Sequence, residues 1–156
     1  MTEGFLSKVV SHSEEFSLEK EIGCVFPLFT PEGEKLWAPG WSYTNLIGSA
    51  ELKPDYVFLT DTHDHKSAQA IWIVSDFDPD KHYVSYYKIE PEQKIGRITV
   101  QCFEQSPSVT LVKVTYKYIG LSDSGNQFVA GFTKEAFTEF IGVWRSLLHG
   151  YLEKHP

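Results

Sequence analysis

Residues 95 to 103 alternate so that Ile95, Arg97, Thr99, Gln101 and Phe103 share one face of an extended segment, with Gly96, Ile98, Val100 and Cys102 on the other. Arg97, Thr99 and Gln101 make a polar row, and Tyr83, Tyr87 and Trp72 on neighbouring segments would stand beside it. Facing an interior, Arg97 would pair with a carboxylate or phenolate, Gln101 would orient an oxygen and the rings would bury the body of a ligand. An inward arginine needs a partner, because an unpaired buried charge is costly. The simpler alternative pairs Arg97 with Glu90 near the surface. Alternation does not say which face is inner, and a single bulge exchanges the two.

Other sets could do chemistry but lack required parts. Asp61, His63 and His65 would share a strand face and could offer ligands to a divalent ion. They fall at the tip of a predicted hairpin, however, and a tetrahedral site would need further ligands, so a solvated turn is the reading preferred. Asp76, Asp78 and Asp80 mimic the first positions of a calcium loop, yet Lys81 stands where glycine is required and Tyr87 where a bidentate glutamate is required. That run reads as a turn, and no metal or other cofactor is expected. Cys102 shares a face with Ile98 and Val100, where a core thiol acts as a small hydrophobe, and Cys24 precedes an apolar stretch; neither reads as a nucleophile. No nucleophile elbow, phosphate-binding loop or dinucleotide fingerprint occurs.

The elements that must position these residues follow from periodicity. Residues 5 to 16 read as a first strand, and Ser17 as the cap of a short helix through Leu18, Ile22, Val25 and Phe26. Between Pro31 and Ser49, three glycines and two prolines interrupt Trp37, Trp41 and Tyr43, predicting short helical turns and loops packed by aromatics. Residues 56 to 60, 68 to 77, 82 to 90, 95 to 104 and 109 to 120 are rich in β-branched and aromatic residues, which predicts an antiparallel meander. After Asn126 the period becomes 3.6. Thr133 can cap a terminal helix of about 20 residues, roughly 30 Å, whose apolar stripe is Phe137, Phe140, Ile141, Trp144, Leu147, Leu148, Tyr151 and Leu152.

The chain is 156 residues long, 42% apolar and 22% charged, which predicts one globular domain over 1–156. Its 14 basic against 21 acidic residues, a formal charge of −7, offer no counterion-release drive toward nucleic acid or an anionic bilayer. No apolar run reaches the length of a membrane span, so stable membrane insertion is not expected. Two cysteines cannot make a disulfide framework, and the expected location is cytoplasmic. A homodimer is compatible with all of this.

At Phe26-Pro27-Leu28-Phe29-Thr30-Pro31-Glu32-Gly33-Glu34, then Trp37 and Gly40-Trp41, the chain resembles bacterial members of the START-like, or SRPBCC, superfamily, which includes polyketide cyclases, lipid-transfer domains, pollen-allergen-like proteins and Hsp90-ATPase activators. The resemblance continues at Ile71-Trp72-Ile73-Val74 with Asp76, Phe77, Asp78 and Pro79, then at Gly96-Arg97-Ile98-Thr99-Val100 and Val114-Thr115-Tyr116. It runs on through Leu121-Ser122, Gly125-Asn126 and Phe132-Thr133-Lys134-Glu135-Ala136-Phe137, covering roughly residues 6 to 152. It implies an α+β helix-grip fold: a seven-stranded antiparallel sheet wrapped around a long C-terminal helix, with two short helices after the first strand and a cavity between. The seventh strand would have to lie near residues 48 to 52.

The function expected is binding of a small hydrophobic or aromatic molecule in that cavity. The ligand-binding set is Trp41, Trp72, Tyr83, Tyr87, Arg97, Thr99, Gln101, Phe140, Trp144 and Leu148. A cyclase- or dehydratase-like enzyme in the same cavity, with Tyr87, His82 and Arg97 as candidate acid–base groups, is the first alternative. An interaction module that stimulates a chaperone ATPase is the second.

Overall fold

The computed structural model describes residues 4–61 and 69–156. Seven strands form one antiparallel sheet: β1 (Val9–Leu18), β2 (Thr44–Asn45), β3 (Val57–Asp61), β4 (Gln69–Asp78), β5 (Tyr83–Glu90), β6 (Lys94–Ser106) and β7 (Val109–Gly120). Their spatial order is β1-β7-β6-β5-β4-β3-β2, so the five central strands are the predicted meander and β1 closes one edge. Helices α1 (Ile22–Val25) and α2 (Pro31–Glu34) flank a 3-10 turn over Phe26–Phe29, and α3 (Asp123–Gly131) precedes the long α4 (Lys134–Lys154).

The inner face of the sheet can be followed in rows. Phe58, Trp72, Lys88, Gly96 and Tyr118 are successive partners across five strands, and the next row runs Val74, Tyr86, Ile98, Tyr116 and His12. Val84, Val100 and Val114 continue it, all fully or nearly buried. α4 lies over this face: Phe137, Ile141 and Leu148 are buried, and the Tyr116 ring meets Phe137, Phe140 and Trp144 at centroid distances of 5.4, 5.5 and 6.1 Å.

Three local expectations change. β1 continues past residue 16 because Phe16 and Leu18 pair with Val112 and Thr110 and bury their side chains. Ser17 is therefore a strand residue bonded to Gln105, not a cap, and α1 begins at Ile22. The seventh strand is Thr44–Asn45 rather than 48 to 52: Asn45 Oδ1 accepts from the amides of Ile47 and Gly48, turning the chain out of the sheet before it reaches the predicted segment. Thr133 caps α4 as expected, its hydroxyl accepting from the Ala136 amide, and Ser122 does the same for α3 through Gly125.

Candidate functional site

The segment from Phe26 to Trp41 crosses one end of the sheet, and each anchor is an aromatic polar tip bonded to a backbone carbonyl. Tyr86 Oη donates to Phe29 O at 2.8 Å, Trp37 Nε1 to Leu28 O at 2.7 Å and Trp41 Nε1 to Pro31 O at 2.8 Å. These side chains spend their large apolar bodies on the interior while satisfying carbonyls that the irregular chain cannot pair internally. α2 is held close to the 3-10 turn, its cap made by Thr30 Oγ1 accepting from the Gly33 amide.

This arrangement leaves a cavity of about 730 Å³ between the sheet, the 26–41 segment and α4, within the range of small-molecule sites. Its deep wall holds Trp37, Trp72, Ile98, Tyr116, Tyr118, Phe132 and Trp144; its mouth is formed by exposed Gly40, Ser42, Asp61, Gln127, Gly131, Ala136 and Phe140. All four tryptophans of the chain line it. Their rings interlock: Trp37 meets Trp144 edge-on at 5.5 Å, and Trp41 meets Trp72 edge-on at 5.9 Å. Trp72 is further fixed by donating Nε1 to Thr60 Oγ1 at 2.8 Å.

Among the described residues, the ionisable side chains of Glu34 and Lys88 interrupt the aromatic wall. Lys88, the inward neighbour of Trp72 in the first row, holds Nζ 5.4 Å from the Trp72 ring centroid. Glu34, the last residue of α2, enters from the opposite side. Loss of solvation by burial raises its carboxyl from an ordinary 4.5 to about 8, an effect that Lys88 partly offsets. The proximity of Glu34 also helps hold the Tyr86 and Tyr116 phenols well above their usual range, after burial itself.

Of the residues expected to bind ligand, Trp41, Trp72, Phe140 and Trp144 line the cavity. Leu148 is fully buried in the core beneath α4 and does not reach it. Tyr83, Tyr87, Arg97, Thr99 and Gln101 lie on the opposite, outer face, so the expected inward face is corrected. The alternate residues Val84, Tyr86, Ile98, Val100 and Cys102 are the buried ones, and a bulge in β4 between Val74 and Asp76 turns Asp76 outward onto the same face as Arg97 and Phe77 inward. Arg97 then reaches across β5, donating Nη2 to Asp76 Oδ2 at 3.0 Å and Nε to Ser85 Oγ at 3.1 Å, over the Tyr87 ring. Thr99 bonds Ser85, and Gln101 Nε2 donates to Lys81 O. The alternative Glu90 partner is also replaced, because Glu90 pairs with Lys94 at 3.3 Å in a buried site. His82 packs edge-on against Phe26 away from the cavity lining.

Cys102 is buried, its thiol pushed up to about 12 by loss of solvation, whereas Cys24 is exposed and bonded to Glu21. Asp78 Oδ1 accepts from the Lys81 amide, so the aspartate run serves a turn. His63 and His65 lie outside the described residues, among which no three His, Cys, Asp or Glu side chains cluster to hold a metal. Glu34 and Lys88 were legible only in part: Glu34 closes the Phe26–Glu34 motif, and Lys88 shares its strand face with Val84 and Tyr86.

No protein-family model matches the chain, and no curated protein sequence matches it. Solved structures do. Norcoclaurine synthase from Thalictrum flavum, in complex with dopamine and hydroxybenzaldehyde, superposes with a TM-score of 0.65 at 12% identity, covering 97% of this chain and 89% of that one. Ara h 8.0201 gives a TM-score of 0.67 at 15% identity, covering 94% and 99%. A protein of unknown function from Staphylococcus aureus gives 0.65 at 17% identity, covering 95% and 96%. The chain thus carries the same helix-grip fold as these structures. Among the described residues no helix is long and apolar enough to cross a membrane.

Proposed function

We propose that this protein binds a small hydrophobic or aromatic molecule in the cavity between the sheet and α4. The observation that carries the reading is the convergence of all four tryptophans on one space of about 730 Å³. A core needs no such space, since interiors pack to crystal-like density and a cavity lacks the dispersion contacts that would fill it. The similarity in fold to a synthase solved with two small aromatic molecules supports the same ligand class. With two cysteines that form no disulfide, the reading fits a protein working in the reducing cytoplasm.

Occupancy stabilises the folded state by mass action. A panel of aromatic compounds is expected to contain members that raise the melting temperature with saturable dose dependence. A panel spanning neutral, acidic and basic aromatics with no such member would contradict the reading.

The enzyme alternative draws on one observation, the carboxyl of Glu34 held at about 8 inside an aromatic cavity, where a proton can be given or taken near neutral pH. Its acid–base candidates are accordingly Glu34 and Lys88, since Tyr87, His82 and Arg97 do not line the cavity. A module that stimulates a chaperone ATPase has no use for an internal aromatic cavity, and the geometry gives that reading no support.

A further inference from the structure

We propose that two copies of this chain pack face to face through a row of aliphatic side chains on the outer face of the sheet, related by a two-fold axis that lies along the row.

Leu59, Ile71, Ile89, Ile95, Ile119 and Val9 are successive cross-strand partners on six neighbouring strands. Their neighbours along each strand turn inward, buried Trp72 beside Ile71 and buried Gly96 beside Ile95 among them, so the row points away from α4. The adjoining row adds Val57, Ile73 and Tyr87 before it turns basic at Arg97 and Lys117. A solvated sheet face is expected to be polar, and the other half of this one is. There Ser85, Thr99, Thr115 and Ser13 form the next row, and their hydroxyls bond in pairs, Ser85 with Thr99 and Ser13 with Thr115. The apolar half is therefore confined to one end of the strands.

Six strands at a spacing of about 4.8 Å make the row roughly 24 Å long. With Val57, Ile73 and Tyr87 it leaves roughly 400 Å² of apolar surface open, about the size of the largest patch a soluble monomer shows. Two such patches with their polar rims would bury on the order of 1,200 Å² in all, the low end of specific interfaces.

Shape and charge fit a second copy. Short aliphatic side chains at one-strand intervals present a flat ridge, of the kind that sandwich sheets pack against one another, rather than a cleft for a peptide. The sheet edges are managed otherwise: Lys134 and Thr138 of α4 engage β1 at Ser13 and Glu14, and β2 is two residues long. The margins of the row carry opposite charge. Arg97 and Lys117 border it on one side; on the other lie Asp61, two residues past Leu59, and Glu92, in the turn between β5 and β6. Lys117, Asp61 and Glu92 are exposed. A two-fold axis along the row lays the basic margin of each copy over the acidic margin of the other, so a chain of formal charge −7 meets itself through opposite charges, twice per dimer.

Sedimentation velocity of the full chain between about 1 μM and about 1 mM is expected to show a reversible monomer–dimer equilibrium, with a midpoint on the order of tens of micromolar. Ile89→Lys, which puts a charge in the middle of the row, is expected to leave a monomer across that range, with unchanged near-ultraviolet dichroism showing that it is folded. Lys117→Glu and Glu92→Lys are each expected to weaken association roughly threefold to tenfold, because each opposes like charges at two places. The double variant is expected to regain the affinity of the unaltered protein within about twofold. Both positions are exposed, so this pair tests the proposal independently of any damage that Ile89→Lys does to the sheet. A monomer at every concentration overturns the proposal, and one that floats with neutral phosphatidylcholine vesicles gives the row to a membrane instead. A dimer that survives Ile89→Lys, or that the double variant fails to restore, uses another face or another axis and overturns it equally.

Discussion

A Cβ on Gly33 would lie 1.9 Å from the carbonyl oxygen of Pro27, so α2 and the 3-10 turn approach more closely than any side chain at residue 33 permits. That approach sets where Glu34 enters the cavity. Gly33→Ala must push backbone against backbone, and is expected to destabilise the protein by roughly 2–3 kcal/mol or more. Urea unfolding measures this directly; a change within error would mean that the 26–41 segment does not hold the approach seen.

Tyr86 anchors the same segment from the sheet. Tyr86→Phe removes one hydroxyl and leaves the Phe29 carbonyl without the bond it accepts at 2.8 Å. A loss of about 1–3 kcal/mol is expected, because an orphaned buried carbonyl costs more than the net value of the bond. The rings would still pack, so the aromatic near-ultraviolet dichroism should change little.

The pH dependence of stability has a definite sign. Glu34 loses its proton near 4.5 in the unfolded chain and only near about 8 in the fold, so the native state holds more protons within that window. Its contribution to stability therefore falls as pH rises from about 4.5 to about 8 and levels off above. Glu34→Gln lacks this loss. Relative to the unaltered protein the variant should gain, on the order of 2 kcal/mol by the alkaline end after discounting for solvent that reaches the cavity. Unfolding curves for both proteins across that range, without ligand, decide it; a constant difference would contradict the buried setting of Glu34.

Arg97 tests the sheet's parity. Its guanidinium is half exposed and bonded to Asp76, so Arg97→Gln is expected to cost under about 1 kcal/mol and to leave ligand binding unchanged. Trp72→Leu should weaken binding of an aromatic probe severalfold, since that ring is part of the deep wall. The reverse pattern would place the cavity on the other face.

The thiols should separate cleanly. Exposed Cys24 is expected to react with a disulfide reagent in the native protein, and buried Cys102, its thiol held at about 12, only after denaturation. A count of two fast thiols in the native state would contradict the burial of Cys102.

Much of this architecture is legible in sequence because periodicity is local. The meander follows from alternating β-branched and aromatic runs, and α4 from an eight-residue stripe beginning at a threonine cap. The face of the sheet that lines the cavity is not local information. It depends on which face α4 and the 26–41 segment cover, the one carrying Gly96, Ile98, Val100 and Cys102, while the β4 bulge sends Asp76 outward to meet Arg97 on the other. Polar residues at 97, 99 and 101 suggest a binding row until their partners Asp76, Ser85 and Lys81 are seen to satisfy them on the outside. Glu34 escapes a periodic reading because it sits in a one-turn helix, where its direction depends on how tightly Gly33 packs.

The central claim is that the tryptophan-lined space takes a small aromatic molecule. Titration with N-phenyl-1-naphthylamine, following tryptophan emission together with energy transfer to the bound probe, tests it most directly, because every tryptophan of the chain lies on the cavity wall. The account predicts quenching that saturates at one equivalent, with sensitised probe emission rising in step. Probe emission that appears without quenching, or grows without saturation, would place binding on the surface and contradict it.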